Sequence, residues 1–293
     1  MPVLSRMLLA ALVLAISGGC VVDVRRSYSA ATALRLDALR TQGYSRVDVD
    51  TPVGPLRVWQ RGLAGAERVH VYIEGDGRAW LTRYRASTDP TPRRPVALEL
   101  ALHDATSAVL YVARPCQYVG RDELRACDPR YWTSHRYAEA VIAAIDTVVD
   151  ELLAPISPRP RIGLIGFSGG AVVAALLAAR RSDIAWLVHV AGNLDVAAWT
   201  RQHGVSALDD SLDPLDSAAR LAHLPQVLLL GAQDPIVPPD VLDAYIAAAG
   251  RKLSVRVFAG FDHSCCWATV WPGAACEMLS AAGVDVGGLC STP

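Results

Sequence analysis

The 293-residue chain has no long basic run: 28 Lys and Arg stand against 29 Asp and Glu, with a net charge of -1. Phosphate binding needs a concentrated positive face, so no nucleic-acid partner is expected. There is no internal repeat and no low-complexity tract, which excludes solenoid and linker-like architectures. No CxxC pair occurs and no His stands at zinc-ligand spacing from a Cys pair, so no metal is expected. Long apolar runs are also missing. The longest near the start, Met7 to Ile16, is too short to span a bilayer comfortably.

Apolar residues are plentiful, at 52%, with 19% charged, enough to bury a sheet on both faces. Residues 30–40 have helical spacing, and two short alternating runs at 45–50 and 56–60 flank a Pro/Gly turn, as in a hairpin. The pattern then changes. Segments 68–74 (RVHVYIE), 108–113 (AVLYVA), 161–166 (RIGLIG), 185–191 (AWLVHVA), 226–231 (QVLLLG) and 253–259 (LSVRVFA) are near-continuous apolar runs, the mark of parallel strands covered on both sides. Helical patterns at 96–103, 137–153, 170–181 and 240–249 alternate with them. This order predicts an α/β fold: a doubly wound, mostly parallel sheet with helices on both faces. In such sheets the chemistry collects at the carboxyl ends of the strands.

The first residues read as an address. Arg6, the apolar run and the small residues Ser17-Gly18-Gly19 have the layout of a secretory signal peptide. Cys20 directly after them resembles the lipobox of bacterial lipoproteins, although Ser17 stands where leucine is usual. That resemblance implies acylation of Cys20, a lipid anchor in the membrane and a place on the periplasmic side of a bacterial envelope. Simple cleavage and release to the periplasm is the alternative. Residues 1–19 are thus expected to be a signal peptide, 20–29 a tether and 30–293 one catalytic domain. Beyond Cys20 six cysteines remain, an even number consistent with disulfides in an oxidising compartment. Cys116 and Cys127 bracket one short connection and are expected to pair. Adjacent Cys265 and Cys266 bond each other only with strain, so each is expected to reach elsewhere, with Cys276 and Cys290 as remaining partners.

The residues just beyond each strand carry the functional reading. After 161–166 comes Gly166-Phe167-Ser168-Gly169-Gly170 and then a helix. GxSxG alone is weak, but between a strand and a helix it has the context of a nucleophile elbow. A serine hydroxyl needs a base, and the base needs an orienting carboxylate. Asp234 comes after 226–231 in GAQDPIVP, and His263 comes after 253–259 in GFDH. Ser168, Asp234 and His263 therefore come in order, each at a strand end. The other six histidines lie inside strands, at a helix end or in connections. Asp195, just beyond 185–191, is the rival acid, and Asp262 reads as structural.

With these motifs the chain, over roughly residues 69–279, resembles the α/β-hydrolase superfamily, in particular serine esterases and lipases. The resemblance implies a Ser-His-Asp triad, an acyl-enzyme, no cofactor and a small-molecule acyl substrate. It also implies two oxyanion donors: the N–H of Gly169 and one from the loop Glu74-Gly75-Asp76-Gly77-Arg78. There Asp76 matches the donor and Gly77 is next in line. Glu74 departs from the usual His, and two carboxylates facing an oxyanion would be unfavourable, so both are expected to point away, toward Arg78 or Arg114. Aromatics in connections 114–136 and 194–225 (Tyr118, Tyr131, Trp132, Trp199) suit an apolar acyl group or merely cover the core. Carboxylic ester hydrolysis is the expected reaction. Peptidase, thioesterase or acyltransferase chemistry would use the same residues, and a non-catalytic envelope binding protein is the reading from another class. The oligomeric state is left open.

Overall fold

The computed structural model describes residues 29–208 and 210–290. The expected signal segment and Cys20 lie outside the described residues. The chain opens with α1 (Ala30–Thr41), β1 (Ser45–Val49) and β2 (Leu56–Arg61), then β3 (Arg68–Ile73), a small hairpin of β4 (Trp80–Thr82) and β5 (Arg85–Ala86), α2 (Val96–Leu102) and β6 (Val109–Val112). It continues through α3 (Arg121–Ala126), α4 (Glu139–Leu153), β7 (Arg161–Phe167), α5 (Gly169–Ala178), β8 (Ile184–Val190), α6 (Val196–Gln202) and α7 (Ala218–Leu221). The last elements are β9 (Gln226–Gly231), α8 (Asp243–Ala249), β10 (Leu253–Phe258) and α9 (Gly273–Ala281).

Eight strands form one sheet in the order β1-β2-β6-β3-β7-β8-β9-β10. The opening hairpin and its contact with β6 are antiparallel; every other neighbour pair is parallel. Alternate residues of each strand face opposite sides. Val69, Val71, Ile73, Ile162 and Leu164 pack with α4, α5 and α8, while Tyr72, Tyr111, Ile165, Phe167 and Val188 pack with α2 and α9. Two apolar layers thus clothe both faces, as the doubly wound reading requires. The expected burial fails at β10, where Val255 and Val257 are exposed. Its apolar run is that of an edge strand, which has one neighbour and an incompletely covered face.

From β3 the chain steps outward to β6, then crosses back to place β7 on the other side of β3. The loops after β3 and β7 therefore diverge at their carboxyl ends and leave a crevice between them. This is the switch point at which open α/β sheets bind ligands.

Candidate active site

Ser168 is the turn between β7 and α5, with φ 52° and ψ -120°. That backbone region is unusual for a residue with a side chain and raises its hydroxyl above the sheet. The neighbouring glycines make the turn possible. A Cβ on Gly166 would run into the backbone of Gly170 and Ala171, and one on Gly170 would run into the carbonyl oxygens of Ile73 and Glu74. The strand and helix meet too closely for either.

His263 Nε2 lies 2.9 Å from Ser168 Oγ, and His263 Nδ1 lies 2.8 Å from Asp234 Oδ2. Asp234 is buried, and its Oδ1 accepts from the N–H groups of Ile236 (2.8 Å) and Val237 (2.9 Å). One oxygen anchors the carboxylate to its own loop while the other faces the imidazole. Trp267 Nε1 donates to the His263 carbonyl at 3.0 Å, and the Phe167 ring lies 5.1 Å from the imidazole. The structure thus brings Ser168, His263 and Asp234 together from the ends of β7, β10 and β9. Asp195 is not at the imidazole: it caps α6, accepting from Ala198 N–H at 2.7 Å. Asp262 Oδ1 accepts from the N–H groups of Ser264 and Cys265.

The loop after β3 faces the start of α5. No acceptor among the described residues takes the N–H of Gly169, Asp76 or Gly77. The Asp76 carboxylate packs against Gly169 and sits in a cage of Arg114 Nη1 (3.0 Å), Arg136 Nη1 (2.9 Å) and Tyr137 Oη (2.8 Å). Burial disfavours its charge, but Arg136 and then Arg114 outweigh that, and the carboxyl is held below its usual range. Arg114 also reaches the Gly169 carbonyl at 3.4 Å, so one guanidinium ties the loop after β3 to the start of α5. Gln117 Nε2 holds the Gly75 carbonyl at 3.0 Å.

Glu74 is fully buried. It accepts from the N–H groups of Gly75 (2.8 Å) and Leu98 (3.3 Å) and from Tyr111 Oη (3.0 Å), with no arginine partner among the described residues. Burial pushes its carboxyl up to about 7, against the pull of these donors. The expectation that both acids turn to Arg78 or Arg114 holds for Asp76 and Arg114 alone. Glu74 lies beneath the loop, where backbone donors and a tyrosine, rather than a cation, meet it.

A cleft of about 510 Å³ opens over these groups. Of the aromatics expected at its mouth, only Trp199 lines it, joined by Trp80 and Phe167. Tyr118 and Trp132 are buried instead, the latter donating to the Ser87 carbonyl at 3.0 Å. Sequence reasoning also missed Asn193, a buried side chain on the cleft wall whose Oδ1 has no partner among the described residues, and the pair Arg136–Tyr137. No local motif marks these.

Cys116 and Cys127 are bonded as expected. The expectation for the other four is corrected. Cys276 on α9 bonds Cys290 across a separation of 14 residues, which leaves Cys265 and Cys266 to each other, and they are joined. The chain after α9 folds back on it and takes the partner that either adjacent cysteine would have needed.

No protein-family model matches the chain, and no curated protein matches it in sequence. Solved structures do match in fold. Puromycin hydrolase superimposes with a TM-score of 0.56 at 18% identity, over 85% of this chain and 40% of that one. An esterase from Pyrococcus furiosus gives 0.53 at 18% identity, over 82% and 90%. A lidless α/β serine hydrolase from Xanthomonas campestris gives 0.50 at 16% identity, over 86% and 97%. This chain spans about two fifths of the length of puromycin hydrolase. The fold is the α/β-hydrolase fold.

Proposed function

We propose that the protein is a serine hydrolase that cleaves a carboxylic ester. The observation that carries this reading is the continuous hydrogen-bonded line from Ser168 through His263 to Asp234, with the serine on a strained turn beside N–H groups that lack an acceptor among the described residues. His263 Nε2 takes the hydroxyl proton as Oγ attacks the acyl carbonyl. The N–H groups of Gly169 and Asp76 receive the oxyanion. His263 returns the proton to the leaving alcohol, and water repeats the sequence to release the acid. Asp234 orients the imidazole and balances its charge. The ester assignment draws on the fold neighbours named esterase and on the apolar lining of Trp80, Phe167, Trp199 and Ile236. A fluorophosphonate probe is expected to label Ser168, with labelling abolished in Ser168→Ala. Labelling elsewhere, or none, defeats the reading.

Export and anchoring through Cys20 belong to the same proposal and rest on the sequence. No helix among the described residues is long and apolar enough to cross a membrane. Intact-mass measurement of the exported protein should find a lipid adduct that Cys20→Ala removes, releasing the chain from membranes.

A further inference from the structure

Ser168 and His263 share their cleft with four arginines: Arg78, Arg93, Arg94 and Arg136. Arg136 is committed to Asp76. Among the described residues, none of the other three lies within ion-pair distance of an acid; Arg94 donates to Ser264 Oγ at 3.3 Å and acts at longer range on the Asp262 carboxylate. The acids that line the cleft do not offset them. Asp76 is already shared by two guanidiniums, and Glu74 lies buried under the loop with its oxygens turned to backbone N–H groups and Tyr111. Asp262, on the loop of the base, has one oxygen occupied by two N–H groups and offsets Arg94 in part, which leaves Arg78 and Arg93 without an acid. The cleft therefore carries surplus positive charge in a chain whose net charge is -1.

The arginines stand on braced backbone. Arg78 N–H donates to the Pro90 carbonyl at 2.9 Å, directly beside the oxyanion loop. The carbonyls of Pro92 and Arg93 accept from Thr32 Oγ1, and Arg93 also from Ser29 Oγ, which fastens the segment to the start of α1. Guanidinium forks match carboxylate and phosphate oxygens, and a cleft lined by one sign of charge concentrates the opposite sign. Trp80, Trp199 and Ile236 supply an apolar side to the same cleft.

We propose that the cleft selects amphiphilic acyl substrates carrying an anionic group, a carboxylate or a phosphate, which Arg78, Arg93 and Arg94 receive while the acyl part lies against Trp80, Trp199 and Ile236. This rests on Ser168 being the nucleophile. The test uses three O-ethyl p-nitrophenyl alkylphosphonates of equal length, ending in a carboxamide, a carboxylate or a phosphate. Each reacts with the whole protein in one step: the bond from Ser168 Oγ to phosphorus forms, the bond from phosphorus to the aryl oxygen breaks, p-nitrophenolate leaves and His263 takes the serine proton. Release of p-nitrophenolate measures the rate.

An anionic probe is expected to label about tenfold faster than the carboxamide. The ratio should shrink at about 0.5 M salt, where the Debye length is roughly 4 Å. It should approach one in the triple variant Arg78→Gln, Arg93→Gln, Arg94→Gln, and fall part of the way in Arg94→Gln alone. The carboxylate and phosphate arms show which anion is preferred. Labelling by the carboxamide probe with a ratio of one or less overturns the inference and leaves the nucleophile standing. A high ratio that survives the triple substitution overturns it too. No labelling by any probe removes the nucleophile and, with it, the inference.

Discussion

At the scale of the residue, the oxygen of Ser168 differs from that of any exposed serine only through what is held beside it. Ser168→Ala is expected to lower kcat/KM by about 10³-fold or more with an unchanged melting temperature, since triad members act as a unit. His263→Ala should match it. The two aspartates separate by the kind of damage. Asp234 holds the imidazole, so Asp234→Asn should cost activity severely. Asp195 caps α6, so Asp195→Ala should lower stability by about 1 kcal/mol while kcat persists. A larger rate loss at Asp195 would reverse the assignment. Arg114→Met tests the cage around Asp76. The substitution leaves a largely buried carboxylate with one cation fewer and unties Gly169 from the loop. Breaking such a pair typically costs about 3 kcal/mol, readable by chemical denaturation, and kcat should fall with it.

At the scale of the element, the connection from β6 to α4 supports the site from outside. It carries Arg114, Gln117, Arg136 and Tyr137, each of which holds part of the loop after β3, and the Cys116–Cys127 bridge closes its first turn. Closing a loop of this length contributes about 2–3 kcal/mol in the chain-entropy account. Replacing both cysteines by serine should remove that amount, and turnover should decline at temperatures below the unfolding transition, because misplacement of a loop near 1 Å costs on the order of 10²-fold. Non-reducing peptide mapping should recover Cys116–Cys127 and Cys276–Cys290 as linked peptides. The peptide with Cys265 and Cys266 should be two hydrogen masses lighter than its reduced form. A free thiol at either position would contradict the pairing.

At the scale of the whole molecule, two buried groups set opposing dependences of stability on pH. Glu74 titrates at about 7 folded, above its ordinary 4.5, because burial disfavours its charge. The folded state then holds more protons between these values, and stability falls as pH rises through them. Burial lowers His189 to about 4 from 6.5, so there the unfolded state holds more protons and stability rises with pH over that interval. The two slopes nearly cancel between about 4.5 and 6.5. Glu74→Gln removes one of them. The variant's unfolding free energy should then climb more steeply than the parent's from pH 4 to 6.5, the two curves diverging by about 2–3 kcal/mol. Denaturant titrations across that range measure it, and a variant whose curve runs parallel to the parent's would refute the account. None of this could be read from the sequence, since Glu74 and His189 are ordinary letters until burial is known. The sequence by itself determined the alternation of strands and helices, the glycine-flanked serine and the order Ser168, Asp234, His263. Those features are local, written in periodicity and in the residue types that a tight turn demands. Tertiary structure decided which aspartate meets the imidazole, which cysteines pair, where Asp76 and Glu74 turn, and that Arg78, Arg93 and Arg94 line the cleft over Ser168 with no ion pair among the described residues. These depend on contacts between segments tens of residues apart, which only the packing of loops at the carboxyl edge of the sheet brings together.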